Sequence, residues 1–159
     1  MKTLIAYSTR YGCSQKAAEM LRGLLGGEVS LVDLKQHGDP DPGPFDTVIV
    51  GGSIQAGNVQ KRVREYCAKR SGQLLEKRLG LYLCCMYEGD AAAKQLADAF
   101  PETLRSHATT SGLFGGELDF EKVGFVARLV VKKVAGVTES VFKFDEKAVS
   151  AFAEKMRGC

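Results

Sequence analysis

The sequence predicts an α/β protein in which a parallel β-sheet is covered by helices on both sides. Short apolar segments alternate along the chain with segments of helical periodicity, as in a doubly wound fold. The segments FDTVIVGGS (45–53) and LGLYLCCM (79–86) are apolar almost throughout, which is typical of strands buried on both faces. Because crossovers between parallel strands are right-handed, this pattern predicts a three-layer, doubly wound fold around a five-stranded parallel sheet.

The first part of the chain is predicted to contain two strands and one helix. The first strand covers 2–8, and Ser14 is expected to cap the helix that follows it. That helix carries an apolar stripe formed by Ala17, Ala18, Leu21, Leu24 and Leu25. The segment EVSLVDL (28–34) alternates apolar and polar residues and is predicted to be the second strand. KQHGDPDPGP (35–44) is rich in proline and is predicted to be a loop.

The remaining helices are predicted from capping residues that follow each strand. Asn58 is expected to cap a basic helix after the third strand, and Asp90 a helix after the fourth. A fifth strand is predicted at 107–116, and a helix candidate follows at 120–136. Asp145 is expected to cap a final helix. The residues that share one face of that helix are Ala148, Val149, Phe152, Ala153 and Met156.

Composition limits the classes of function. The chain of 159 residues fits one domain, spanning 1–159. A net charge of +3 is too small to indicate a nucleic-acid partner. No apolar run is long enough to cross a bilayer, and the opening MKTLIAYSTR does not resemble a signal peptide. We therefore expect a cytoplasmic protein.

The cysteines do not indicate a metal site. Their number is odd, their spacings match no zinc pattern, and free thiols are expected in a reducing compartment. Cys84 and Cys85 are adjacent in a predicted strand, so their side chains should point to opposite faces of the sheet. We interpret this pair as small core residues and not as a catalytic dithiol. The five cysteines are Cys13, Cys67, Cys84, Cys85 and Cys159.

A ligand site is expected at the carboxyl ends of the strands, where the strand order switches. The segments that follow strands one, three and four are STRYGCS (8–14), GGSIQAGN (51–58) and CMYEGD (85–90). The first combines hydroxyl groups, a glycine and a helix N-terminus, which is the composition of an anion-binding loop. The same residues also fit a surface turn before a helix capped by Ser14, and the loop alone leaves both interpretations open.

At this point the sequence resembles a known family. The pattern Thr9-x-x-Gly12-x-Ser14 after a first strand is similar to the phosphate loop of flavodoxins, [ST]-x-[ST]-G-x-[ST]. FDTVIVGGSIQAGNV and YEGDAAAKQLADAF resemble the second and third flavin loops of that family. STRYGCS, GGSIQAGN and the late SGLFGGELDFEKVGFVARLVVKKVAG resemble more specifically the branch that contains menaquinone-dependent protoporphyrinogen oxidases. The resemblance covers nearly the whole chain and implies the strand order 2-1-3-4-5.

The resemblance implies non-covalently bound FMN and redox chemistry with one or two electrons. The residues that it assigns to the ribityl phosphate are Ser8, Thr9, Arg10, Tyr11, Gly12, Cys13 and Ser14. Those that it places on one side of the isoalloxazine ring are Ser53, Ile54, Gln55, Ala56 and Gly57. Those on the other side are Met86, Tyr87, Glu88, Gly89 and Asp90.

Two departures from the family pattern concern the flavin site. Tyr11 stands where the first loop of flavodoxins has a small hydroxyl residue. The chain has no tryptophan, and its second loop has Gln55 and Ala56 where flavodoxins place an aromatic residue against the flavin. The ring is therefore covered by Tyr87 alone or is more open than in a typical flavodoxin.

The segment at 120–136 is both apolar on one face and basic. Such a helix fits peripheral contact with an anionic membrane surface, where quinones are within reach, or contact with an acidic partner. The better interpretation is a helix that covers the sheet and turns its lysines to water, because doubly wound folds need covering helices. The basic helix near 61–70 offers the same choice between docking an acidic redox partner and solvation.

Two classes of function follow. The first is an FMN-dependent oxidoreductase similar to protoporphyrinogen oxidase, with a quinone acceptor, or an electron carrier with a redox partner protein. The second is a non-enzymatic module that binds another phosphate-bearing ligand or a protein. The sequence shows no acid or base suited to catalysis, so no catalytic residue is assigned.

Overall fold

The computed structural model describes residues 2–9, 12–55, 57–85, 89–118, 141–142 and 144–158. The elements are β1 (Lys2–Tyr7), α1 (Cys13–Leu25), β2 (Glu28–Asp33), β3 (Thr47–Gln55), β4 (Asn58–Val59), α2 (Lys61–Lys69), α3 (Ser71–Leu74), β5 (Arg78–Cys84), α4 (Gly89–Ala99), α5 (Glu102–His107), β6 (Thr110–Leu113), β7 (Glu117–Leu118), β8 (Val141–Phe142) and α6 (Glu146–Met156).

The central sheet has the predicted topology. Its strands lie in the order β2-β1-β3-β5-β6 and pair in parallel, and these five are the strands expected from the sequence. One short strand was not expected: β4 pairs antiparallel with the end of β3. A separate antiparallel pair joins β7 and β8. The predicted doubly wound fold is confirmed.

Both faces of the sheet are buried, as the apolar strands predict. Successive residues of one strand belong to different cores, for example Val48 on one face and Ile49 on the other. Helices α1 and α6 cover the Ile49 face, and α2, α4 and α5 cover the Val48 face. The buried face of α6 is the predicted one, with Val149, Phe152, Ala153 and Met156 in the core.

The adjacent cysteines lie on opposite faces, as expected. Cys84 packs in the core beneath α1, whereas Cys85 packs in the core on the other side. Burial raises the pKa of the Cys67 thiol to about 12. A hydrogen bond with the Cys13 thiol and burial together hold the pKa of Cys84 well above its usual value. Thiols in such environments are protonated and unreactive at neutral pH, which fits their interpretation as core residues.

Ser14 and Asn58 do not cap the helices to which the sequence assigned them. Helix α1 begins at Cys13 after Gly12, so Ser14 lies inside the first turn and its side chain makes no capping hydrogen bond. Asn58 belongs to β4 and pairs with Gln55, and α2 begins only at Lys61. A tight hairpin pairing and a glycine with φ of +96° thus override these capping signals.

The other caps differ in outcome. Helix α4 begins at Gly89, so Asp90 lies in the first turn and does not cap it. The Ala148 N–H donates to Asp145 Oδ1 at 3.0 Å, which confirms the cap of the last helix.

The fifth strand is shorter than predicted. Pro101 ends the preceding helix and starts α5, which takes up the chain as far as His107. His107 is therefore the last residue of a helix, not the first of a strand, and β6 covers only Thr110–Leu113. The helix candidate at 120–136 lies outside the described residues. None of the helices in the described part of the chain has the length and apolar character needed to cross a membrane.

Candidate functional site

The first, second and third loops begin side by side at one edge of the sheet. Tyr7 pairs with Gly51, and Gly51 pairs with Tyr82, so β1, β3 and β5 end next to each other. The Ser8 N–H donates to the Gly51 carbonyl at 3.2 Å, which joins the first loop to the strand of the second. The structure thus brings together the three segments that the sequence singled out.

Most of the expected site residues can be placed. Those in the described part of the chain are Ser8, Thr9, Gly12, Cys13, Ser14, Ser53, Ile54, Gln55, Gly57, Gly89 and Asp90. Those outside it are Arg10, Tyr11, Ala56, Met86, Tyr87 and Glu88. The effects of Tyr11 and Ala56 on the flavin site, and the cover of the ring expected from Tyr87, therefore stay predictions.

The first loop folds into a compact turn before α1. The Gly12 N–H donates to Thr9 Oγ1 at 2.9 Å, and the Gly12 carbonyl accepts from the Lys16 N–H at 2.9 Å. Gly12 has φ of +96°, a conformation that favours glycine, and the space beside its Cα is open. The first turn of α1 contains no acidic residue. An anion is therefore favoured here by the positive end of the helix dipole.

Ser14 supplies an unmatched polar group at this helix end. Its side chain is fully buried, and its Oγ has no hydrogen-bond partner. The hydroxyl influences the pKa of the neighbouring Cys84 thiol, but their geometry is not that of a hydrogen bond, and thiols are weak partners. A buried hydroxyl without a partner costs about 1–3 kcal/mol. A phosphate oxygen in this loop would remove that cost, so the residues present fit a phosphate-bearing group.

Tyr82 holds the start of α1 to the central sheet through a hydrogen bond. Its hydroxyl donates to the Ser14 carbonyl at 2.8 Å, and its ring is completely buried. Burial raises the pKa of Tyr82, so the phenol stays protonated as a donor. A Cβ at Gly51 would lie 1.9 Å from Tyr82 Cζ, so only glycine lets the ring pass beneath β3. The glycines of the third strand are the sequence feature that could have indicated the close approach of Tyr82.

The second loop is a tight β-hairpin. Ile54 pairs with Val59 and Gln55 with Asn58, and Gly57 lies in the turn between the two strands. Gly57 has φ of +85°, which suits a two-residue turn. The sequence predicted a loop before a capped helix here, and the strand pairing was missed.

Gln60 holds this hairpin to the end of β3. The Ser53 N–H donates to Gln60 Oε1 at 2.9 Å, and Gln60 Nε2 donates to Ser53 Oγ at 2.7 Å. A Cβ at Gly52 would lie 2.9 Å from Gln60 Oε1 and 2.8 Å from Val59 Cγ2, so glycine makes room for both side chains. Nothing in the sequence pattern indicated Gln60, since its contacts depend on the hairpin.

The third loop is described only at its two ends. The Cys85 N–H donates to the Gly115 carbonyl at 2.9 Å, which ties the end of β5 to the segment after β6. Gly89 has φ of +61° and opens α4, and the exposed Asp90 lies in its first turn. Among the acidic residues assigned to the third loop, Asp90 is the one that the described part of the chain places in a helix.

A doubly wound sheet with an anion-binding helix N-terminus at the strand-order switch defines a class of domains that bind phosphate-bearing cofactors. Residues 4–143 match the family described as Flavodoxin domain, and the chain therefore belongs to the flavodoxin family. Flavodoxins bind FMN, so membership indicates that FMN is the cofactor of this chain. Among curated proteins, no significant relative is found.

Solved structures share the fold at low sequence identity. The two-electron reduced flavodoxin of Megasphaera elsdenii has a TM-score of 0.60 at 10% identity, with 99% of each chain covered. Oxidised flavodoxin 1 from Bacillus cereus has a TM-score of 0.59 at 14% identity, covering 98% of this chain and 97% of that one. Rubredoxin oxygen:oxidoreductase from Desulfovibrio gigas has a TM-score of 0.55 at 15% identity. The match covers 99% of this chain but only 37% of that protein.

Proposed function

We propose that this chain is a redox protein that holds FMN at the edge formed by the three loops and exchanges electrons with a partner. The observation that carries the proposal is the buried, unpartnered Ser14 hydroxyl at the N-terminus of α1. This group lies inside the segment that matches the flavodoxin family. Bound FMN would supply reversible uptake of one or two electrons.

The first loop is proposed to bind the phosphate. The Thr9 hydroxyl, which accepts from Gly12, keeps its own hydrogen for donation to an anion. The Ser14 hydroxyl supplies a second donor. An anion at a helix N-terminus gains about 0.3–1 kcal/mol at an exposed site and up to about 2 kcal/mol when partly buried. The remaining residues assigned to the phosphate are Ser8, Arg10, Tyr11, Gly12 and Cys13.

The second and third loops are proposed to orient the ring. The residues assigned to one side are Ser53, Ile54, Gln55, Ala56 and Gly57. The assigned residues of the other side are Met86, Tyr87, Glu88, Gly89 and Asp90. Because Gln60 and the pairing of β3 with β4 hold the hairpin, the chain presents a preorganised wall to the ring.

An absorbance spectrum tests the binding of FMN directly. The purified protein, supplied with FMN and freed of excess, should show flavin absorbance and quenched flavin fluorescence. A protein that stays colourless and takes up no FMN would instead be a flavodoxin-like module for another phosphate-bearing ligand or a protein.

A finer possibility is an oxidase similar to menaquinone-dependent protoporphyrinogen oxidase, which the late segment at 111–136 supports by resemblance. Anaerobic incubation of the FMN-loaded protein with protoporphyrinogen and a menaquinone analogue should then give porphyrin fluorescence only when the quinone is present. Absence of porphyrin, with normal electron transfer to ferricyanide, would identify an electron carrier.

Peripheral membrane contact through 120–136 is a separate proposal that the basic, apolar pattern of that segment supports. Vesicles that contain phosphatidylserine should sediment the protein at low salt and release it at high salt. No salt-sensitive binding would remove the membrane contact and leave the redox function intact.

A further inference from the structure

The first turn of α2 is strongly positive. It contains Lys61, Arg62 and Arg64, all exposed, and no acidic residue. The turn follows the β3–β4 hairpin after a single residue, Gln60. It therefore lies at the same edge of the sheet as the three loops of the candidate site.

These charges are placed where the local structure disfavours them. The N-terminus of a helix carries the positive end of the helix dipole, so cations in the first turn are repelled. The three side chains also repel one another. Neither helix propensity nor capping explains this arrangement, because an acidic residue would stabilise the turn.

At the C-terminal end of α2, in contrast, the basic side chains form ion pairs. Lys69 lies 2.6 Å from Asp39 and Arg70 lies 2.7 Å from the same carboxylate, with Asp41 4.0 Å from Arg70. These cations are also favoured by the negative end of the dipole. The C-terminal charges of the helix are thus neutralised within the fold.

The N-terminal charges are not neutralised in this way. Within the described part of the chain, the side chains of Arg62 and Arg64 form no ion pair and no hydrogen bond. Among the described residues, Lys61 pairs only with Glu65, at 3.6 Å, and both side chains are more than half exposed. Such an exposed pair contributes little. The unneutralised positive charge of α2 is therefore concentrated beside the second loop.

The shape of the patch indicates a broad partner. Val63 points into the core, and residues on a helix are separated by about 100°. Arg62 and Arg64 consequently leave the helix on opposite sides of Val63 and cannot close on one small anion. Leu75 is the exposed large apolar side chain in the described part of the chain, and it lies beyond the far end of α2. The patch thus lacks the apolar groups that enter a membrane.

We propose that Lys61, Arg62 and Arg64 form the docking surface for an acidic electron-transfer protein. The proposal rests on the proposed redox function, since the surface lies beside the loops assigned to the flavin. The negative charges of an acidic partner would neutralise this positive surface. They would also speed its association with the site at low ionic strength. Each docking event would pass one electron from the reduced partner to the FMN-loaded chain, and the partner is oxidised.

Two double variants test the surface. Arg62→Glu with Arg64→Glu removes it, while Arg22→Glu with Lys155→Glu changes the net charge equally at exposed sites in the last turns of α1 and α6. The first variant should unfold at the same or a higher urea concentration than the wild type, because glutamates suit a helix N-terminus. Unchanged or higher stability excludes a folding defect as the reason for lost docking.

An acidic [2Fe–2S] ferredoxin serves as the probe. Calorimetric titration should show binding that weakens as salt increases, about tenfold weaker for Arg62→Glu with Arg64→Glu and nearly unchanged for the control. Stopped flow measures the rate at which reduced ferredoxin reduces the FMN-loaded protein. This rate should fall in Arg62→Glu with Arg64→Glu and stay nearly unchanged in the control. Binding is measured with and without FMN, so a failure to bind FMN is seen separately.

Three results would overturn the proposal. Equal weakening by both double variants would show that only net charge matters. Equal ferredoxin binding by all proteins would show that the patch does nothing. Binding to phosphatidylserine vesicles through Arg62 and Arg64, without ferredoxin binding, would identify a membrane contact in place of a protein partner.

Discussion

The Tyr82 hydroxyl donates a 2.8 Å hydrogen bond to the Ser14 carbonyl and so ties the centre of the sheet to the first turn of α1. This bond joins two residues that are 68 positions apart in the sequence. It fixes the helix end at which the phosphate is proposed to bind. The position of the proposed phosphate site is therefore set by the core.

Replacing Tyr82 with phenylalanine should affect both stability and the site. The change leaves the buried Ser14 carbonyl without this donor, which costs about 1–3 kcal/mol. FMN affinity should fall as well, because the first turn of α1 loses its anchor. Urea unfolding and FMN titration measure the two effects.

Tyr66→Phe is the matched control. The Tyr66 hydroxyl donates to the Pro40 carbonyl at 2.8 Å, in the loop that precedes β3. This variant should lose comparable stability and keep its FMN affinity. An equal loss of FMN affinity in both variants would contradict a specific role for Tyr82.

Gly51→Ala should be strongly destabilising. The added methyl would lie 1.9 Å from Tyr82 Cζ, so the ring or the strand must move. Overpacking of this kind costs about 1–3 kcal/mol. Gly23→Ala is the control, since its helical site has no atom within 4 Å of the new Cβ and should gain about 0.4–1 kcal/mol. Thermal unfolding that places both variants near the wild type would refute the close packing of Gly51 on Tyr82.

The Gln60 side chain should stabilise the second loop. Gln60→Leu leaves the Ser53 N–H and hydroxyl without their partner and should cost about 1–3 kcal/mol. Gln60→Glu should cost less, because a carboxylate still accepts from the Ser53 N–H and the hydroxyl can turn to donate to it. Amide hydrogen exchange at Ser53 should be faster in Gln60→Leu than in Gln60→Glu. Equal exchange in the two variants would show that Gln60 does not hold the hairpin.

Acid should weaken the contact between the proline-rich loop and α2. Hydrogen bonds from Arg70 and Lys69 lower the pKa of Asp39. A group with a lowered folded pKa stabilises the protein above its unfolded pKa, about 3.9 for aspartate, and loses this contribution as pH falls through the folded value. Asp39→Asn should therefore reduce stability at neutral pH, and the difference from the wild type should shrink as pH falls below about 3.9. A difference that persists in acid would contradict this account.

The sheet and its two cores were predictable because the evidence for them is local. The apolar run from Val48 to Val50 requires burial on both faces of a strand. The cap at Asp145 was also predictable, since it depends on an N–H three residues away. The strand order, in contrast, followed from the family resemblance and not from periodicity.

The two missed caps, by contrast, lie where two local backbone arrangements compete for the same residues. Asn58 looks like a helix cap, but its backbone pairs with Gln55 in a hairpin. Ser14 also looks like a cap, yet Gly12 takes that place and Ser14 is buried in the first turn of the helix. Capping and pairing compete for the same polar residues, and only the packed structure decides between them.

The central claim, that the first loop binds a phosphate through Ser14, is tested most directly by comparing FMN with riboflavin in Ser14→Ala. Riboflavin lacks the phosphate, so only FMN affinity should fall, by about tenfold or more, because a hydrogen bond to a charged group contributes about 1.5–3 kcal/mol. The protein without flavin should be as stable as the wild type or more so, since the variant removes a buried hydroxyl without a partner. An unchanged ratio of FMN to riboflavin affinity would contradict the proposed phosphate site.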